Sequence, residues 1–258
     1  KPRMTPKLPK LMAFDLDGTL AESKQRVSAE MGELLAELLT KVPIAVMSGA
    51  SFSQFETQFF PALPDETPLG KLFIFPVNAA QCFVYRADKW HPEYDHAYSE
   101  HDRGVIHAAI EEALREAAIE SPNQIWGEQV QDRGAQITFS AVGQDAPVEA
   151  KKAWAAQYDD RRKLLRNLLA QKLPNFSAST GGITSVDITP KGITKAYGIH
   201  RLIELTGISV SEMLYVGDAL DEGGNDSVVI ETGVRTHAVF GPEETAALIR
   251  TLIHTHLA

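Results

Sequence analysis

A single cysteine, Cys82, stands in the 258 residues. That excludes an internal disulfide framework and a multi-cysteine zinc site, so a reducing compartment is the simpler expectation. Cys82 lies in an apolar stretch with Phe83 and Val84, which suits core packing. Positive charge is also short: 25 Lys and Arg against 34 Asp and Glu give a net charge of −9. That balance argues against nucleic-acid or anionic-membrane binding by bulk electrostatics and leaves room for a local basic pocket. Long hydrophobic runs are missing as well. After the basic, proline-bearing opening from Lys1 to Lys10, the apolar run stops at Asp15, too short for a signal-peptide core or a membrane span. A cytoplasmic protein without a membrane partner is expected. The eight histidines contain no His-Glu-x-x-His spacing, and no repeat or low-complexity tract occurs.

What is present is enough apolar content for a substantial core, arranged as short apolar runs alternating with helix-period segments. That alternation predicts a parallel sheet covered by helices. Leu11 to Phe14, Ile44 to Met47 and Leu72 to Phe75 read as strands, with Cys82 to Tyr85 a further one. Met31, Leu34, Leu35, Leu38 and Leu39 share one helical face behind Ser28, a suitable N-cap. From about Tyr94 the character changes. A helix with Ile106, Ala109, Ile110, Ala113, Leu114 and Ala117 on one stripe precedes an alternating strand from Gln136 to Ala141. Pro147 is placed to open another helix at its first position, with Tyr158-Asp159-Asp160 a candidate division within it. Strands near Phe176 to Ser179 and Ser185 to Ile188 follow. The first pattern then resumes, with a helix around Thr194 to Leu205, strands Met213 to Val216 and Ala238 to Phe240, and a closing helix carrying Leu248, Ile249, Leu252 and Ile253. The expected organisation is a discontinuous α/β core, residues 1–93 and 189–258, with an α+β module inserted over 94–188.

The chemistry is concentrated where strands end. Phe14-Asp15-Leu16-Asp17-Gly18-Thr19 sets two carboxylates one residue apart at the end of the first strand. Such close acids repel unless one is protonated or a hard cation sits between them, and Mg²⁺ fits oxygen ligands of this kind. In open parallel sheets ligands bind beyond the carboxyl ends of the strands. Ser48-Gly49 falls at the second strand end, Gly217-Asp218 with Asn225-Asp226 at a later one, and Lys191-Gly192-Ile193-Thr194-Lys195 opens a helix. Each supplies a part that phosphoryl transfer needs. The stretch from Asp218 to Asp226 fails as a calcium loop, because its acids do not alternate and Val229 stands at the twelfth position.

With these motifs the chain resembles, over nearly its whole length, the haloacid dehalogenase-like superfamily with a type-IIB cap. The resemblance implies a Rossmann-like parallel-sheet core with an inserted α+β cap, Mg²⁺ as cofactor and a small phosphorylated substrate. It makes Asp15 the nucleophile that becomes an aspartyl phosphate, and Asp17 the general acid and base whose backbone carbonyl ligates the metal. Ser48 would be the phosphate-binding hydroxyl, with Gly49 beside it. Lys195 would be the lysine that neutralises charge during transfer, with Lys191 its rival. Asp218 completes the metal ligands Asp15, Asp17 and Asp218, with Asn225 and Asp226 completing or orienting the acidic shell.

Within the superfamily the chain is similar to the eukaryotic-type phosphomannomutases. The widened spacing around Gly223-Gly224 matches them, as does Gly181-Gly182-Ile183-Thr184-Ser185-Val186-Asp187 leading to Lys195. This implies that Ser185 and Asp187, which share one face of a strand, contact the sugar or its phosphate from the cap. A mutase must also grip the phosphate it does not transfer, and that family uses several cap arginines. Arg133 matches one of them, whereas Trp126 and Gln144 stand at other expected places, and Ser48 lacks the family's Gly-Gly-Ser. The run Arg161-Arg162-Lys163 reads as a solvated helix face. Hydrolysis of small phosphorylated metabolites, hexose phosphates above all, is therefore the first expectation. Phosphomannomutase is the alternative, and a non-catalytic phosphosugar-binding protein is opposed by the presence of Asp15, Asp17 and Lys195.

Overall fold

The computed structural model describes residues 7–255, and the basic opening up to residue 6 lies outside them. In chain order the elements are β1 (Leu11–Asp15), α1 (Ala29–Leu39), β2 (Ile44–Met47), α2 (Phe52–Gln58), β3 (Leu72–Phe75), β4 (Gln81–Arg86) and β5 (Lys89–Asp95). Then come α3 (Glu100–Glu116), β6 (Val130–Asp132), β7 (Ile137–Ser140), α4 (Val148–Lys172), β8 (Phe176–Gly181) and β9 (Ser185–Pro190). The chain closes with α5 (Lys195–Thr206), β10 (Met213–Gly217), β11 (Arg235–Ala238) and α6 (Pro242–His254).

Seven strands form the first sheet in the order β11-β10-β1-β2-β3-β4-β5. It is parallel from β11 to β3, and β4 and β5 are antiparallel additions at one edge. Every residue of β1 and β2 is buried, as expected of strands covered on both faces. Alternate side chains serve opposite layers: Met12, Phe14, Ile44 and Val46 pack in the cluster that holds residues of α1 and α6, while Leu11, Ala13, Ala45 and Met47 pack with Ile199 and Leu202 of α5. Ser28 caps α1 by accepting from Met31 N–H at 3.1 Å. Gly207 ends α5 in the left-handed conformation at φ 70°, which a side chain would strain. The chain runs outward from β1 to β3 and returns to place β10 on β1's other side, so the ends of β1 and β10 face one crevice.

The second sheet is antiparallel, β6-β7-β9-β8, with α3 and α4 on one face. Ile137, Phe139, Val186 and Ile188 point to those helices. The alternating residues Thr138, Ser140, Ser185 and Asp187 pair across the other face in the register Thr138 to Asp187 and Ser140 to Ser185. That polar face closes over the strand ends of the first sheet.

Three local expectations are corrected. Helix α4 runs undivided, with Pro147 as its N-cap residue. Asp159 does not break it because its carboxylate pairs with Arg162 and Lys163 one turn on, and Tyr158 packs on Trp154. The last strand ends at Ala238, and Phe240 leaves the sheet because its N–H donates to Glu244 Oε2 at the start of α6. Strands β5 and β6 carry no clear strand signal, since β5 is a polar edge that contains Pro92 and β6 has only three residues.

Candidate active site

The buried run of β1 delivers Asp15 to the crevice, and the turn that follows bends back sharply, with Gly18 N–H donating to Ala21 O at 2.7 Å. Gly18 adopts φ +80°, and a Cβ there would lie 2.3 Å from Asp218 Oδ2. Only glycine lets the loop after β1 approach the loop after β10 so closely. Thr19 Oγ1 donates to Asp218 Oδ1 at 3.2 Å across the same gap.

Lys195 lies in the first turn of α5 and is only 1% exposed. Its ammonium donates to Asp15 Oδ1 at 2.6 Å and to Asp226 Oδ1 at 2.7 Å. Lys191 is exposed in the preceding turn, so Lys195 is the lysine brought to Asp15. Burial opposes the charge on Lys195, but Asp15 and Asp226 together outweigh it and hold the ammonium above the usual lysine range. Burial and the nearby Asp226 and Asp218 carboxylates raise Asp15 well above the ordinary carboxyl value, against the pull of Lys195. Asp218 is raised by burial and by Asp226.

Asp15, Asp218 and Asp226 bring one carboxylate oxygen each within 4.8 Å of one another. Hard oxygen donors crowded until their charge is unfavourable fit a hard divalent cation, which would relieve the repulsion. Asp226 is fully buried, and both its oxygens are occupied: Oδ1 accepts from Lys195 and the Tyr215 hydroxyl, Oδ2 from Ala219 N–H. Its visible work is to hold Lys195. The cation would fall to Asp15 and Asp218. Asp17 turns its carboxylate away from this cluster and accepts Lys24 N–H at 2.8 Å and Gln58 Nε2 at 2.7 Å on Oδ1. These two bonds fix the direction of its side chain.

Ser48 follows β2, buried, with its N–H donating to Phe75 O at 3.1 Å and its Oγ accepting Ala50 N–H at 3.1 Å. Ser48, Gly49, Asp15, Asp17, Asp218 and Asn225 all line one cavity of ≈430 Å³, whose opposite wall includes Ser185, Asp187 and Arg133. Asp187 is buried and accepts Thr138 Oγ1 on Oδ1 and Asn78 Nδ2 on Oδ2, each at 2.9 Å. Burial raises its carboxyl value, with Arg133 opposing. Arg133 donates from Nε to Gln131 Oε1, from Nη1 to Gly49 O and from Nη2 to Gln144 Oε1.

Several groups here were not expected at the site from the sequence. Lys24, Lys151, Lys152 and Arg162 join Arg133 in lining the cavity, so the wall is basic in a chain of net charge −9. Lys151 is 6% exposed beside Lys24, whose ammonium donates to Gln144 O. Burial, then Lys151 and Arg133, pull the Lys24 ammonium down to about 8. Arg162 corrects the expectation of a wholly solvated basic run: it lies on the α4 face toward the β8–β9 connection, paired with Asp159 and donating to Gly182 O at 3.0 Å, while Arg161 and Lys163 stay exposed. Trp126 packs against the apolar cluster between the second sheet and its helices, and Gln144 spends its amide nitrogen on Thr138 O at 3.2 Å.

The model of the haloacid dehalogenase-like hydrolase family matches residues 12–227. A probable phosphomannomutase of Caenorhabditis elegans is 25% identical over 250 residues, which cover 94% of this chain and 95% of that protein. The phosphomannomutase of Saccharomyces cerevisiae is also 25% identical over 250 residues, covering 95% of this chain and 94% of its own length. Among solved structures, an IMP-bound, N-terminally truncated IMP-nucleotidase of Plasmodium falciparum superposes with a TM-score of 0.68 at 17% identity, over 96% of this chain and 68% of that one, a likeness of fold.

Proposed function

The chain belongs to the haloacid dehalogenase-like hydrolase family and is a phosphotransferase of that family; from that premise we propose that it exchanges a phosphoryl group on a hexose phosphate as a phosphomannomutase does. This reverses the order expected from the sequence, where hydrolysis came first. The relatives that match almost end to end carry the mutase name. The observation that carries the reading is the basic wall: Lys24, Lys151 and Arg133 share a cavity with Asp15, so a second phosphate has cations to meet although Trp126 and Gln144 offer none. Lysines act there as point charges in place of forked arginines.

In this reading a carboxylate oxygen of Asp15 attacks phosphorus, forming the aspartyl phosphate as the bond to the sugar oxygen breaks. Asp17, aimed by Gln58, gives a proton to the departing oxygen and takes one from the hydroxyl that attacks next. Lys195 offsets the charge gathering on the phosphoryl group, and the Ser48 hydroxyl receives one of its oxygens. Mg²⁺, held by Asp15, the Asp17 carbonyl and Asp218, would draw charge from the phosphoryl oxygens. Residues 94–188 act as the cap, with Ser185 and Asp187 toward the sugar, and close over the site to exclude water.

Hydrolysis is the second reading. Each of the three guanidinium nitrogens of Arg133 already donates to a protein oxygen, which leaves less of that residue for a distal phosphate. Mannose 1-phosphate with a hexose bisphosphate activator, followed by phosphorus NMR, separates the two. Accumulation of mannose 6-phosphate ahead of inorganic phosphate supports the mutase. Release of inorganic phosphate without isomerised sugar supports the phosphatase.

A further inference from the structure

Asn78 stands between the two walls of the cavity. Its backbone N–H donates to Ser48 O at 2.9 Å, and Val77 N–H donates to Ala50 O at 2.9 Å, so the turn after β3 clasps the Ser48-Gly49-Ala50 turn. The side chain reaches the other way. Its Nδ2 donates to Gln136 Oε1 and to Asp187 Oδ2, both at 2.9 Å, on the polar face of the second sheet. Gln136 Nε2 donates to Thr138 Oγ1 at 2.7 Å, and Thr138 donates to Asp187 Oδ1 at 2.9 Å, which closes a ring of four side chains. Gln136 also returns to the first wall, donating to Gly49 O at 3.1 Å.

The backbone at this point is held in an uncommon state. Val77, Asn78 and Ala79 have φ of 48°, 54° and 67°. Asparagine tolerates the left-handed region, but a β-branched valine there is an outlier that persists only when its surroundings over-determine it. All three residues are buried. Gly49 has little room either, because a Cβ would stand 3.1 Å from Asp187 Oδ2 and 3.4 Å from Asn78 Nδ2. One nitrogen with two donors, on a residue that accepts a positive φ, is what this position requires.

We propose that Asn78 is a positioning residue that couples cap closure to the phosphate-binding turn: its side chain registers the polar face of the cap sheet, and its backbone passes that register to Ser48. The inference rests on the reading of Ser48 as the hydroxyl that receives the transferring phosphate. Asn78 touches neither substrate nor metal in this role.

Two variants test it. Asn78→Gly keeps the left-handed backbone and its N–H but removes the side chain. Asn78→Asp keeps the shape and sets a carboxylate against Asp187. Both should lose about tenfold or more in kcat/KM on a hexose phosphate, mainly in kcat, as a small misplacement of the reacting groups would cause. On p-nitrophenyl phosphate, too small to need the cap, the loss should be several-fold smaller. Equal losses on both substrates, or wild-type values on both, overturn the coupling. Should the wild type turn over no hexose phosphate, the substrate reading fails and hydrogen exchange decides the coupling by itself. Asn78→Gly should then speed exchange together in Ser48 to Ala50 and in Ile137 to Ser140. Faster exchange confined to residues 77–79 overturns it.

Discussion

The ammonium of Lys195 lies 2.6 Å from Asp15 Oδ1, although 180 positions separate the two residues in the chain. That contact offsets only part of the burial and of the Asp226 and Asp218 charges that raise the Asp15 carboxyl value. Asp15 is buried among Asp218 and Asp226, and Lys195 is the one cation among the described residues that pairs with it. The first two predictions turn on this pair.

Asp15→Asn should abolish turnover and leave the fold intact, because an amide is a poor nucleophile and a weaker ligand for a hard cation. Steady-state assay together with far-ultraviolet circular dichroism checks both halves. Undiminished turnover in the folded variant would remove Asp15 from the chemistry.

Lys195→Ala should lower stability by about 3–5 kcal/mol, since it strands two buried carboxylates without their counter-charge. Asp226→Asn in the same chain should recover part of the loss. Urea unfolding of the single and double variants measures this, and no recovery would mean that the two residues are not energetically coupled.

Divalent metal should stabilise the protein more at pH 8 than at pH 5. The folded-state carboxyls of Asp15 and Asp218 are raised. Without metal, their contribution to stability is present below the unfolded carboxyl value and is lost as pH rises through the raised folded values. A cation that binds the ionised pair offsets that loss. Thermal unfolding with and without Mg²⁺ at both pH values tests it, and exhaustive chelation should stop turnover. Ca²⁺, with longer bonds and looser coordination, should restore little activity.

Binding of a hexose bisphosphate should weaken as pH rises through about 8, where Lys24 loses its charge. Titration calorimetry from pH 7 to 9 measures the trend. Lys24→Met should bind more weakly at pH 7 and show a flatter pH profile. An unchanged profile in that variant would assign the effect to another group.

The sheet core and the strand ends that carry the candidate site were legible in the sequence. Buried parallel strands read as continuous apolar runs, and ligands gather where such runs end, so the placing of Asp15, Asp17, Ser48 and Asp218 along one cavity was legible from local pattern. The type-IIB cap was legible from the change of period after Tyr94 and from the resemblance carried by residues 181–187. What joins those groups was not legible. Gln58, which aims Asp17, reads as the end of an ordinary helix, and Tyr215, which bonds Asp226, reads as one more apolar strand residue. Lys24, Lys151 and Arg162 have the local surroundings of solvated side chains, and only the closing of the second sheet over the first turns them into a basic wall. Asn78 gave no signal at all, because its bonds run to partners 58 and 109 positions away. Local pattern encodes which face of an element is apolar, whereas the charge, pairing and burial of a polar side chain depend on which distant groups the fold brings within hydrogen-bond reach.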